Sequence, residues 1–270
     1  MSELTTTIDR DIVIEIGGVP VRVRTGDPGF LHLLKRRYAG FVNRTRYAEF
    51  EFDVDLTPPG DFGADDDVRV LQRSGRWLLE RGDFHAEWDS ASKSGNIRQS
   101  ANPYSIDSIL RIVHTLILSK QGGFLLHAAS AVRNGRAFLF AGVSGAGKTT
   151  IARLAPGNAT LLTDEISYVR EHDGGYSAFG TPFTGELAKV GDNICAPIAA
   201  LYLLAKGPKN RIEPLAHAEA GRALLTNILF FAEDAELVKL VFESACEFVG
   251  RVPIYRLTFV PDVRVWEMIA

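Results

Sequence analysis

The segment 142–150 constrains the fold of this chain most, because it reads GVSGAGKTT and matches the pattern G-x-x-x-x-G-K-[ST] without a gap. The apolar run at 136–141 precedes it and is typical of a buried strand. Residues 150–155 have the composition of a short helix that ends before Pro156. Strand, glycine-rich loop and helix in this order predict a phosphate-binding P-loop.

The residue types in this segment match the chemistry of a triphosphate site. The glycines allow backbone conformations that a Cβ would forbid, so that successive N–H groups and the start of the next helix can face an anion. Lys148 is predicted to reach the β- and γ-phosphates, and Thr149 to ligate Mg²⁺. A glycine-rich turn without a ligand is the alternative, but Lys-Thr is in register and both flanks fit the motif. The predicted nucleotide-binding residues are Gly142, Ser144, Gly145, Ala146, Gly147, Lys148, Thr149 and Thr150.

Composition excludes several function classes. The chain has 270 residues, a net charge of −3 and a pI near 6.1, so it lacks the basic character typical of nucleic-acid binders. Its first residues lack a signal-peptide profile, and no apolar run has membrane-spanning length. Cys195 and Cys246 have no metal-binding spacing and are predicted to be core residues in a reducing compartment. We therefore expect a cytoplasmic protein without nucleic-acid or membrane partners.

We predict two domains, a β-rich N-terminal region at 1–104 and a P-loop core at 105–270. Apolar and polar residues alternate on both sides of Gly17 and Gly18, which predicts a β-hairpin. A helix is expected at 30–38. Further N-terminal strands, expected to be antiparallel, are predicted at 50–54, 68–72, 76–81 and 84–88, with a loop at 57–67.

The C-terminal half is predicted to be α/β. A helix is expected at 106–120, with His114 near its apolar stripe as a core residue. Asn134-Gly135 predicts a hairpin between strands at 124–132 and 137–140. Further strands are predicted at 161–163, 166–170, 176–179, 199–204, 211–215 and 254–259, and helices at 216–231 and 234–249.

Two features beside the glycine loop suggest group transfer. Asp164 and Glu165 follow Lys148 by one helix and one strand, which would return both carboxylates to the ligand end of the sheet. Phosphoryl transfer to an alcohol requires a carboxylate that accepts the hydroxyl proton, together with a metal. His127 lies on the strand paired with the one that ends at the loop, so it can approach the same end and hydrogen-bond a carboxylate. The alternatives are a solvated strand end for the acids and a structural role for the histidine.

These residues together resemble the core of HPr kinase/phosphorylase. The resemblance covers roughly 124–190 and is carried by Leu126-His127-Ala128-Ala129, the glycine loop and Thr163-Asp164-Glu165. It implies a fold similar to that of phosphoenolpyruvate carboxykinase and the use of ATP and Mg²⁺. By this resemblance Asp164 is the catalytic carboxylate that deprotonates an acceptor serine, and His127 supports it. Lys148 completes the catalytic set.

The resemblance has departures. The second acid is Glu165 instead of an aspartate, and the family's signature stretch is replaced by 180–186, where Glu186 is a further candidate contact. The metal ligands implied are thus Thr149, Glu165 and Glu186. Arg211 is the candidate for the family's late phosphate-contacting arginine. The N-terminal region does not match the family's regulatory domain.

The combination looks more like the shorter HPr-kinase-like proteins found in lasso-peptide and other peptide natural-product clusters. This implies a serine kinase whose partner is a peptide or protein, and since family members form hexamers, a homo-oligomer is also an expectation. Two alternatives stay open: a kinase for free serine, a sugar or another metabolite, and a nucleotide-binding regulatory module without transfer.

Overall fold

The computed structural model describes residues 10–45, 47–58 and 67–269 of the chain. These divide into two compact units, Met1–Ile109 and Leu110–Ala270. The division falls inside the helix Pro103–Ser119 (α2), whereas the sequence-based boundary at 104/105 falls at its start. Each unit has its own sheet, so the described chain is a mixed α/β protein with two sheets.

The described residues of the N-terminal unit contain a β-sheet and a short helix, α1, at Pro28–Arg37. The described strands, in the order β1-β2-β3-β7-β6-β5-β4, form a seven-stranded sheet. The first two strands form the predicted hairpin, whose turn residues Gly17 and Gly18 both have positive φ. The strand bounds are β1 Asp11–Ile16, β2 Val19–Thr25, β3 Phe50–Leu56, β4 Arg69–Arg73, β5 Arg76–Arg81, β6 Phe84–Asp89 and β7 Ser94–Gln99.

The expectation of an entirely antiparallel N-terminal sheet is wrong. Strand β3 is parallel both to β2 and to β7, and β7 was not predicted. Parallel neighbours are joined by long connections, here through α1 and through β4 to β6, so no local turn signal indicates their pairing. Part of the predicted loop at 57–67 lies outside the described residues.

The C-terminal unit contains a mixed nine-stranded sheet among its described residues, in the order β10-β8-β11-β12-β13-β16-β14. The long strand β8 also pairs with β9 and with the two-residue strand β15. The element bounds are β8 Gly123–Arg133, β9 Arg136–Ala141, α3 Lys148–Arg153, β10 Ala159–Thr163, β11 Ile166–His172, β12 Gly175–Phe179, β13 Cys195–Lys206, β14 Arg211–Pro214, α4 His217–Leu225, β15 Ile228–Leu229, α5 Ala235–Arg251 and β16 Ile254–Phe259.

Two sequence-based expectations in this unit are corrected. The helix predicted at 216–231 is α4, which ends at Leu225, and the amide nitrogen Nδ2 of Asn227 donates to the carbonyl oxygen of Ala223 at 2.8 Å. The chain then extends, so that Ile228 and Leu229 pair with β8. Both cysteines are exposed, because Cys195 lies at the start of β13 and Cys246 on the outer face of α5.

The strands β8 and β9 send side chains to two separate cores, because successive residues of a strand face opposite sides of the sheet. One core packs Leu126, Ala128 and Leu139 with residues of α4 and α5. The other packs Phe138 and Phe140 with α3 and with the C-terminal 3₁₀ turn Val263–Glu267. Both faces of these strands are therefore covered up to the end of β9, where the glycine loop begins.

The fully buried His114 of α2 gives a stability prediction. Among the described residues neither ring nitrogen has a hydrogen-bond partner, and the ring packs edge-on against Tyr168. Burial lowers the pKa of His114 to about 3. We expect His114→Leu to raise the free energy of unfolding at pH 7 by about 1–3 kcal/mol, because unsatisfied buried polar atoms are removed.

The same substitution should also make the free energy of unfolding less sensitive to acid. Since the folded-state pKa is depressed from 6.5 to about 3, protonation favours the unfolded state between these values. As the pH falls below 6.5, the free energy of unfolding of the wild type should therefore decrease by up to about 1.4 kcal/mol per pH unit more than that of H114L. Urea unfolding at pH 7 and pH 5 measures the difference, with the exposed His217→Gln as control. Equal losses in wild type and H114L would contradict the prediction.

Candidate functional site

The glycine loop joins β9 to α3, as the motif predicts. Gly145 and Gly147 have φ of +76° and +110°, where other residues are strained. Gly147 is also needed for space, because a Cβ there would lie 2.7 Å from the ring of Phe259. A Cβ on Gly142 would lie 2.8 Å from the Cβ of Ala146. The glycines are therefore fixed both by backbone conformation and by close packing.

The C-terminal end of the chain supports this loop and helix. The indole N–H of Trp266 donates to the carbonyl oxygen of Ile151 in α3 at 3.0 Å. Arg133 in turn donates to the carbonyl oxygens of Trp266 and Ile269, at 2.6 and 2.8 Å. These contacts, together with Phe259 on Gly147, were not predicted, because no motif connects residues so distant in the sequence.

The side chain of Lys148 is folded back over the loop. Its ammonium donates to the carbonyl oxygen of Gly142 at 2.8 Å and lies 3.5 Å from that of Val143. Burial lowers the pKa of Lys148, and the negative charges of Glu165 and Glu186 oppose this shift. The ammonium thus bonds to neutral carbonyls inside a partly acidic environment, and is placed to exchange them for an anion.

The two acids of the pair have different environments. Asp164 is buried, and its two carboxylate oxygens accept the backbone N–H groups of Gly185 and Leu187, both at 2.9 Å. Glu165 is half-buried, and its backbone N–H donates to the hydroxyl of Thr163 at 3.2 Å. Asp164 therefore anchors the loop that follows β12, whereas the side chain of Glu165 is more exposed.

Arg111, on α2, is a neighbour of Glu165 that the sequence interpretation did not identify. Its Nη2 lies 3.7 Å from Oε2 of Glu165, and its guanidinium carbon lies 5.0 Å from the centre of the Phe183 ring. The signal available in the sequence was a single arginine within the apolar run 109–113, ILRIV.

His127 reaches the same end of the sheet, as the pairing of β8 with β9 and β11 requires. It is the register partner of Ile166, directly after the acidic pair. The predicted hydrogen bond from its ring to a carboxylate is not made to Asp164, whose two oxygens bond to the 185–187 loop within the described residues. Burial lowers the pKa of His127, and the positive charges of Lys148 and Arg111 lower it further. The imidazole is therefore favoured in its neutral form.

A cavity of about 360 Å³ brings most of the predicted residues together. Gly142 and Ala146 belong to the loop, but both are buried and do not line the cavity. Arg211 is on β14, where it pairs with Glu213 at 2.9 Å, and it does not line the cavity either. The cavity is lined by His127, Ser144, Gly145, Gly147, Lys148, Thr149, Thr150, Asp164, Glu165, Gly185 and Glu186.

No group of three or more His, Cys, Asp or Glu side chains is arranged to hold a metal ion by itself within the described ranges. Likewise, none of the helices described is long and apolar enough to cross a membrane.

Comparison with known proteins identifies the family. The profile of the family described as SynChlorMet cassette protein ScmC matches residues 98–270, and the chain belongs to this family. No curated protein matches the chain. Among solved structures, the chain is similar to the HPr(Ser) kinase/phosphatase from Coxiella burnetii, with 13% identity over 54% of this chain and 85% of that one. The TM-score of 0.28 is too low for this similarity to support a conclusion.

Proposed function

We propose that this protein is an ATP- and Mg²⁺-dependent serine kinase, with a P-loop core of the HPr kinase type at 105–270. The observation that carries the proposal is that one cavity is lined by the glycine loop and Lys148 together with Asp164, Glu165 and His127. A nucleotide-binding loop alone is compatible with binding or hydrolysis. Carboxylates within the same cavity supply what transfer to an alcohol requires in addition.

The residues present fit ATP and Mg²⁺. Left-handed glycines and an ammonium that bonds to loop carbonyls suit a polyphosphate. The hydroxyl of Thr149 and the carboxylates of Glu165 and Glu186 are the hard oxygen donors that Mg²⁺ prefers. Mg²⁺ is commonly held by one or two carboxylates plus substrate phosphates, so we propose that these side chains share it with the nucleotide.

Each residue then has a defined part. Lys148 binds the β- and γ-phosphate oxygens, and the loop N–H groups fix the phosphate chain. The serine oxygen of the acceptor attacks the γ-phosphorus as the bond to the ADP oxygen breaks, and the hydroxyl proton passes to Asp164. Neutral His127 lines the same cavity and adds no positive charge beside the acids. Mg²⁺ supplies charge neutralisation on the phosphates.

The acceptor is proposed to be a serine on a peptide or protein. The description of the family as a cassette protein fits a gene product that works beside others. A precursor peptide encoded in the same cassette is therefore the first acceptor to test, and intact-mass analysis after incubation with ATP and Mg²⁺ should show a gain of one phosphate.

A panel of acceptors distinguishes the proposal from its alternatives. Free serine, sugars and other small alcohols are incubated with labelled ATP beside the peptides. Label in small alcohols and in no peptide would identify a metabolite kinase. Tight ATP binding with no labelled acceptor, together with a partner bound only in the presence of nucleotide, would identify a regulatory module.

A further inference from the structure

Arg111 occupies an unusual position for a charged residue. It lies in α2 between Leu110 and Ile112, which are both buried. Its own side chain is only 25% exposed, and its Nε is buried without a hydrogen-bond partner among the described residues. Burial of a guanidinium is unfavourable unless other contacts compensate for lost hydration. The contacts of Arg111 therefore indicate what it does.

The described contacts of Arg111 are with Glu165 and with a residue packed beside it. The guanidinium lies against the ring of Phe183 and 3.7 Å from the carboxylate of Glu165. The carbonyl oxygen of Phe183 accepts a hydrogen bond from the hydroxyl of Thr163 at 3.3 Å, and the same hydroxyl accepts the backbone N–H of Glu165 at 3.2 Å. Helix, loop and turn thus form one packed cluster, defined by Arg111, Phe183, Thr163 and Glu165, of which Glu165 lines the cavity.

We propose that Arg111 is a positioning residue that orients the carboxylate of Glu165 toward the Mg²⁺ that Glu165 shares with the bound nucleotide. The inference rests on the proposed function, since it assigns Arg111 a role in the same site. A glutamate has three side-chain torsions, and a stacked arginine restricts them because its planar guanidinium is itself held on the aromatic ring. Residues that orient metal ligands typically change metal affinity by about 10- to 100-fold when replaced.

The experiment measures ADP binding by calorimetry with and without Mg²⁺, for wild type, R111M, E165Q and the double variant. The quantity compared is the factor by which Mg²⁺ tightens ADP binding. We expect R111M to reduce that factor about tenfold while affinity without Mg²⁺ is retained. E165Q should reduce this factor by a similar amount. The factor of the double variant should be no smaller than that of either single variant, because R111M and E165Q remove the same interaction. R111K keeps the charge but loses the planar fork, and should fall between wild type and R111M.

Arg170 provides a matched control. Its guanidinium lies 4.9 Å from the centre of the Phe179 ring, it also has a buried Nε without a described partner, and it does not line the cavity. R170M removes the same chemical group from a similar stack and should leave the Mg²⁺ factor unchanged. Melting temperatures of all variants verify folding, and R111K and E165Q remain informative if R111M is unstable.

Several results would overturn the role of Arg111. Equal weakening of ADP binding with and without Mg²⁺ would indicate a direct phosphate contact instead. Additive losses in the double variant, or the same change in R170M, would indicate a general structural effect. If wild-type protein binds no ADP under either condition, the proposed function fails and this role with it, which is distinct from a failure confined to the variants.

Discussion

Replacing Lys148 by methionine should weaken ADP and ATP binding by about 10- to 100-fold, because charge-assisted hydrogen bonds contribute roughly 1.5–3 kcal/mol. The structure shows where the ammonium starts: it donates to the carbonyl oxygen of Gly142, deep in the loop that the motif defines. Nucleotide binding would exchange this neutral acceptor for phosphate oxygens. Isothermal titration with ADP measures the loss directly and requires no knowledge of the acceptor.

The matched control for this variant is Lys189→Met. Lys189 is exposed in the loop after β12 and does not line the cavity, so its loss changes the net charge by the same amount without altering the site. K189M should bind ADP as wild type does. Unchanged affinity in K148M would mean that the phosphate site lies elsewhere, and an equal loss in both variants would show that overall charge, not this ammonium, controls binding.

The parts of this site that sequence predicts are those set by local geometry. The left-handed glycines, the Asn134-Gly135 hairpin and the strand after α3 are encoded within short windows, and the hairpin fixes which residue of β8 lies beside the loop. His127 lines the cavity because the register of β8 with β9 and β11 places it at the end of the sheet where the glycine loop and the acidic pair lie. Alternation along paired strands was therefore sufficient to bring the histidine and the acids together.

The remaining features depend on packing between distant segments. Arg111 precedes Glu165 by a helix, a hairpin and the glycine loop, and only tertiary structure brings its guanidinium to that carboxylate. The support of α3 by Trp266 is equally non-local. The hydrogen bond expected from His127 is not made to Asp164, because backbone N–H groups of an irregular loop occupy both of its described carboxylate oxygens, and such loop geometry has no sequence period.

Because the carboxylate of Asp164 also binds the backbone of the 185–187 loop, a test of its catalytic role has to separate catalysis from loop anchoring. Asp164→Asn should reduce phosphoryl transfer by about 100- to 10,000-fold, the range typical of general acid–base groups, while ADP affinity changes little. The substitution also has a structural cost, since an amide NH₂ would face the N–H of Gly185 or Leu187. We expect it to lower the free energy of unfolding by about 1–3 kcal/mol. Loss of activity alone would therefore not separate a proton acceptor from a loop anchor.

Gly185→Ala separates these two roles. A Cβ at Gly185 would lie 3.0 Å from Oδ2 of Asp164 and from the Cβ of Glu165, so the substitution displaces the loop while both carboxylates remain. If Asp164 accepts the proton, G185A should retain transfer within about tenfold of wild type, far above D164N. Transfer is measured in single-turnover reactions with the acceptor found in the panel, alongside melting temperatures. Full activity in D164N would exclude the base role, whereas equal losses in D164N and G185A would assign Asp164 to anchoring the loop over the cavity.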